Sequence, residues 1–416
     1  APVFSVFPTM GRDFIFMAFT VVIVGGMGSI IGTVVAGLAL TQVQVLSSLI
    51  VSPVWSDPFL FLFSARRACS DGSVMPEASI SKDPSGFLAF DRSGLAMRAS
   101  HVLVAILVVA ALAFAAVGAA INDTFFLRLA TEALILGGFA LSVDILLGYT
   151  GLLSLGHALY FGFGAYVSAL VLKETPSFWL AMGVVLVTTV VFGFITGLIA
   201  NRVRGVYFAL VTFGLAQVAA KAVYNTRALG ASDGLIGIPI VPINLGFMTV
   251  MSNAPVAFFL FTLAFVVLLY AAAAYLLDTS FGRVLGALRA NEHRVPFLGY
   301  STQRARLLIY VFASVIAALS GALYPMLRGF VSPELMFFVT SGNAVITVVI
   351  GGVGTLVGAL YGSIILTVLK SVIGTMTEHH LIVIGILFMA VVIFLPKGLM
   401  GVVRPGIARL LGGGAR

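Results

Sequence analysis

The chain has 416 residues, is 60% hydrophobic and only 9% charged, and carries a formal net charge of +8 with a mean hydropathy of +1.15. Soluble domains carry about a quarter charged residues, so this composition excludes a water-dissolved globule and points to lipid as the main solvent. Long unbroken apolar runs exclude the short alternating strands of a membrane β-barrel. The basic excess then reads as orientation in a membrane rather than nucleic-acid binding.

The chain begins Ala-Pro-Val, with no basic segment leading into a short apolar core, so no cleavable signal is expected and residues 1–63 read as a fragment. Within them, "VIVGGMGSIIGTVVAGLALT" at 22–41 matches "VVIGGVGTLVGALYGSIILT" at 348–367. Gly25, Gly26, Gly28 and Gly32 fall on Gly351, Gly352, Gly354 and Gly358, and Ser29 falls on Thr355. Two copies this far apart are not a tandem solenoid; they read as equivalent pieces of two related subunits. Residues 64–96 are polar and rich in Pro, Gly and Ser, which reads as a linker. The single cysteine, Cys69, permits no internal disulfide.

Apolar runs of about 20 residues, the length that crosses a bilayer core, follow near 103–120, 124–147, 152–172, 178–200, 206–224, 255–277, 303–327, 333–350, 355–374 and 381–396. The expected fold is an all-α polytopic membrane protein of about 8–10 spans, 333–350 being short enough to be re-entrant. With ten crossings, one side holds twelve Lys and Arg between Arg98 and Arg416. The other holds Arg128, Lys173, Lys221, Arg227, Arg328 and Lys370. The basic-rich side is taken as cytoplasmic, with the C-terminus on it.

Two stretches carry more than lipid contact requires. In "GYTGLLSLGHALYFGFGAY" at 148–166, Gly148, Gly151 and Gly156 invite close helix packing or broken backbone. Ser154 and His157 add polar groups at membrane depth, where a histidine usually faces the bundle interior; His157 could equally bond a neighbouring carbonyl. Asp144 precedes them without an obvious local partner. Glu132 is one turn from Arg128, a spacing that lets the two neutralise each other. Asp144, Gly148, Gly151, Ser154, Gly156 and His157 are the candidate translocation residues. The second stretch, "FGRVLGALRANEHRVPFLGY" at 281–300, reads as a helix from Gly282 to His293 ended by Pro296 and Gly299. Arg283, Arg289, Arg294 and Glu292 give it a charged face, and Val284, Leu285 and Leu288 an apolar one. Such a helix suits lipid headgroups and a partner's groove equally.

Resemblance separates these alternatives. Residues 281–300 resemble the cytoplasmic coupling loop of ABC importer permeases, and "GYTGLLSLGH", "GGVGTLVGALYGSIIL" and "LPKGLMG" resemble the branched-chain amino-acid permease family, LivM type, over about 97–416. "PTMGRDFIFMAFTVVIVGGMGSIIG" and "SPVWSDPFLF" within 8–63 resemble the C-terminal part of the companion LivH-type permease, so 1–96 suggests a fusion or frameshift. The resemblance implies a non-enzymatic permease in a bacterial inner membrane, importing branched-chain amino acids or related solutes such as urea or amides. It implies a companion permease, two cytoplasmic ATP-binding subunits using ATP-Mg, and a periplasmic substrate-binding protein. The coupling loop would be 279–302, with Gly282, Arg283, Arg289, Glu292, Arg294 and Gly299 as its residues. The chain has no GxxxxGK[ST] phosphate loop and no metal-binding motif, and no cofactor of its own is expected. The alternatives are an ion-driven secondary transporter, which buried Glu132, Asp144 and His157 could serve, and a membrane hydrolase, for which no nucleophile–base or HExxH pair is present.

Overall fold

The computed structural model describes residues 94–121, 124–244, 249–376, 380–395 and 397–412, with isolated helical positions between 21 and 42. The expectations for 1–63 and 64–96 therefore lie almost wholly outside the described residues, except that Gly94–Ala96 begin the first helix rather than ending a linker.

Among the described residues, seven helical stretches are long and apolar enough to cross a membrane. They lie in α1 (Gly94–Ile121), α2 (Thr124–Asp144, continued to Thr150), α4 (Phe178–Ala200), α5 (Val206–Asn225), α6 (Pro255–Asp278), α8 (Thr302–Ala322, continued to Arg328) and α11 (Val357–Met376). The other three expected spans are shorter helices: α3 (Ala158–Glu174), α10 (Phe338–Gly351) and α12 (His380–Phe394). The 14 residues of α10 reach only about 21 Å at 1.5 Å per residue, less than the hydrocarbon thickness. Two further short helices, α7 (Ser280–Ala290) and α9 (Tyr324–Arg328), and α13 (Gly398–Gly412) complete the α-helices of residues 94–412 among the described residues.

Apolarity all round a helix does not tell its position; burial does. The span Thr124–Thr150 is 78% buried and Ala99–Ile121 only 22%, so α2 is central and α1 faces lipid. Around α2 pack α6, α8 and α11, while α8 also packs on α3 and α4. Small residues allow this closeness: a side chain at Gly164 would enter the Ala318 backbone, and one at Gly321 would enter Phe161. Buried hydroxyls stitch the same contacts by bonding carbonyls across helices. Ser320 donates to Ile135 (2.5 Å), Ser363 to Ala133 (2.6 Å) and Ser168 to Ala322 (3.0 Å). Strand pairing is confined to loops, where β1 (Leu235–Ile236) pairs antiparallel with β4 (Phe330–Val331) and β2 (Pro242–Asn244) with β3 (Thr249–Met251).

Candidate functional site

The chain leaves α-helical geometry at Ile145–Thr150, a π-turn closed by Gly151 in the left-handed conformation at φ 73°. Extra residues in a π-turn widen the ladder and free carbonyls to bond elsewhere. One of these is Gly148's, and Arg289 of α7 donates to it. Half-burial lowers the Arg289 pKa from its ordinary value, while the nearby Asp144 carboxylate opposes that shift.

Asp144, one turn earlier, is fully buried. Its carboxylate accepts from the backbone N–H of Gly354 (2.6 Å) and of Leu356 (2.8 Å), in the turn between α10 and α11. That turn runs through positive φ at Gly352, Gly354 and Leu356; the leucine is an uncommon occupant of that region. Thr355 braces it by donating to the Gly352 carbonyl and accepting from Gly358 N–H. Gly148 lies so close to this turn that an added Cβ would sit 2.5 Å from Gly354 Cα and 2.7 Å from Asp144 Oδ1. Asp144, Gly148, Arg289 and the 352–356 turn thus form one junction. Asp144, which has no obvious local partner in the sequence, is enclosed and bonded across 210 positions of sequence.

The remaining candidates of the glycine-rich stretch sit in packed interior. Gly156 abuts the Thr212 carbonyl, which leaves no room for a side chain. His157 is fully buried against Phe139, Tyr160 and Tyr310. Among the described residues, neither ring nitrogen finds a hydrogen bond of ordinary geometry, although the Ala313 carbonyl is close enough to act on the ring, and Ser154 Oγ is likewise buried without a partner. A cavity of about 740 Å3 lies elsewhere, toward the other end of α2. Asp144, Gly148, Gly151, Ser154, Gly156 and His157 are absent from its lining. Its walls come from Arg128–Phe139 on α2, Tyr324–Arg328 on α9, Thr340–Thr347 on α10 and Ser363–Ser371 on α11. The Arg128–Glu132 pair expected from spacing gives way here to Glu132 with Arg328, at 2.5 Å.

The charged stretch forms α7 from Ser280 to Ala290, starting earlier and ending sooner than the expected Gly282–His293. Asn291 stops it, its side-chain oxygen accepting from His293 and Arg294 N–H, the local capture by which Asn competes with helix. Gly282 packs against the Leu277 backbone at the corner with α6, and Leu285 and Leu288 are buried. Arg283 and Arg294 are exposed, and Gly299 closes the next turn at φ 81°. The charged face was expected to be exposed throughout, but Arg289 turns inward and Glu292 is engaged within the chain. The Glu292 carboxylate binds Arg306 at 2.6 Å and Arg204 at 3.3 Å. Arg306, only 4% exposed, also donates to the carbonyls of Asn201 and Val203. Among the described residues no cluster of three His, Cys, Asp or Glu could hold a metal.

The family described as branched-chain amino acid transport system / permease component matches residues 125–392. The chain belongs to that family. The permease is 28% identical over 309 residues to the high-affinity branched-chain amino acid transport system permease protein LivM of Escherichia coli K12, covering 69% of this chain and 72% of that protein. It is 24% identical to LivH of the same organism, over 65% of this chain and 92% of LivH. It is 28% identical to the autoinducer 2 import system permease protein LsrC of Yersinia pseudotuberculosis serotype O:3 strain YPIII, over 56% of this chain and 62% of that protein. No solved structure gave a significant match. The permease is therefore a multi-pass membrane transport subunit rather than an enzyme, and it works with further permease subunits.

Proposed function

We propose that this permease imports branched-chain amino acids or close relatives across a bacterial inner membrane, driven by ATP-Mg hydrolysed on two separate cytoplasmic subunits. These subunits dock on residues 279–302, a LivH-type companion completes the pathway, and a periplasmic binding protein delivers solute to the opposite face. The C-terminus lies on the cytoplasmic side.

The observation that carries this reading is the Arg289 bond to the Gly148 carbonyl. It ties the docking helix α7 to the π-turn of the most buried span, and Asp144 ties that turn to the α10–α11 reversal. Arg128 and Gly148 are separated by about 30 Å of helix, so α2, α10 and α11 each run from this junction to the cavity. Movement of α7 by a partner therefore acts on three cavity-lining helices through one bonded knot, as rigid-element alternating access requires. An ion-driven mechanism is disfavoured because Glu132 and Asp144 already hold Arg328 and backbone N–H groups.

The test uses Ala290→Cys in a Cys69→Ser background. Crosslinking of position 290 to the ATP-binding subunit is expected. Labelling of the same cysteine by an impermeant thiol reagent from the periplasm would overturn both the topology and the docking assignment.

A further inference from the structure

The cavity between α2, α9, α10 and α11 carries unbalanced positive charge. Arg128, Arg328 and Lys370 line it against a single carboxylate, Glu132, which Arg328 already holds at 2.5 Å. Among the described residues, no hydrogen bond or ion pair engages Arg128 or Lys370; Lys370 feels Glu132 only at longer range. Lys370 is half-buried and sits six residues inside the end of α11, roughly 9 Å along the helix. A cation inside an apolar span faces a cavity or pathway far more often than lipid.

Two polar stripes reach the same space. Thr340, Asn343 and Thr347 share one face of α10, and Ser363, Thr367 and Ser371 share one face of α11. Leu136 and Phe139 of α2 and Leu366 of α11 add apolar lining to the same space. A mostly apolar concavity of this size with a few convergent polar groups has the form of a small-molecule site.

We propose that this cavity is a station on the import pathway for an amphipathic carboxylate, whose anionic end is met by Lys370, with Arg128 at the rim, and whose apolar body lies against Leu136, Phe139 and Leu366. The assignment rests on the permease reading above and adds to it the place and the group that recognise the solute. No bond chemistry is involved.

The test places a cysteine at Thr367, in the Cys69→Ser background, within the assembled transporter in vesicles. Its rates of modification by an anionic and a cationic methanethiosulfonate are compared. One unit charge a few ångströms away in a wet site shifts such a ratio about fivefold or more. The anionic reagent is therefore expected to lose about that much advantage in Lys370→Gln and to keep it in Lys370→Arg. Millimolar L-leucine is expected to slow the anionic reagent, L-leucinamide is not, and Lys370→Gln should abolish that protection. An unchanged reagent ratio in Lys370→Gln, or equal protection by the amide, overturns the proposal. Failure of ATP-dependent leucine uptake by the wild-type transporter would instead overturn the proposed function, and the labelling comparison does not depend on it.

Discussion

At the scale of single residues, the buried charges of this permease are held by groups that sequence spacing does not reveal. Asp144 keeps its carboxylate in a fully buried position because two backbone N–H groups point at it, and a charge-assisted bond of this kind contributes about 1.5–3 kcal/mol. Asp144→Asn must turn an NH2 group toward one of those donors or leave it unpaired. A loss of about 2 kcal/mol follows, read as a lower thermal midpoint in detergent; an unchanged midpoint would show that the junction tolerates an amide. Glu292 makes a graded contrast. Its bond to Arg306 involves a guanidinium 4% exposed, whereas its bond to Arg204 involves a side chain 56% exposed. Exposed pairs contribute about 0–1 kcal/mol and removing one partner of a buried pair costs several. With Glu292 itself 25% exposed, Glu292→Gln should cost about 2 kcal/mol and Arg204→Gln less than about 0.5 kcal/mol. Equal unfolding midpoints for the two variants would contradict this ranking.

Among the elements, α7 is the one whose role changes most between sequence and structure. Its charged residues read as a uniform outer face, yet Arg289 points into the protein and bonds the π-turn. Periodicity locates a helix and its apolar side, here Leu285 and Leu288, but a long flexible arginine crosses the boundary between faces. The π-turn itself has no periodic signature; Gly148 and Gly151 hint at broken backbone without fixing its form. Truncating the link should separate chemistry from transport. Arg289→Ala leaves α7's buried leucines and exposed Arg283 in place, so subunit docking and ATP hydrolysis should persist. The hydrogen bond to a charged donor is lost, about 1.5–3 kcal/mol, which predicts at least about a tenfold fall in solute imported per ATP hydrolysed. Arg289→Lys, which retains the charge without the fork, should fall between. A proportional loss of ATPase and uptake would mean that Arg289 serves docking instead.

Across the whole molecule, charge separates along α2. Arg204, Arg289, Glu292 and Arg306 meet at one end, and Arg128, Arg328 and Lys370 line the cavity toward the other. This is the division that the Lys and Arg distribution implies from sequence, and hydropathy likewise exposes every membrane-length helix among the described residues. What hydropathy could not supply is depth: α10 is apolar enough for a span, but its 14 residues end at Gly352, which takes a positive φ. Pairings such as Asp144 with Gly354 join segments with no shared local pattern. The repeat at 348–367 marked the glycine turn without naming its partner. The amino-terminal boundary is also adjusted, since α1 begins at Gly94 and is anchored. Ala99 and Leu103 are buried, and the Leu103 carbonyl accepts from the Tyr361 hydroxyl at 3.0 Å. The permease core should therefore be independent of residues 1–93 but not of α1. Deleting 1–93 is expected to leave a membrane-inserted chain that co-purifies with its companion permease. Deleting 1–110 should remove the Tyr361 contact and the buried face of α1 and so reduce the yield of assembled complex sharply. If the shorter deletion alone prevents insertion or pairing, the amino-terminal segment is part of the working fold and its reading as a joined fragment fails.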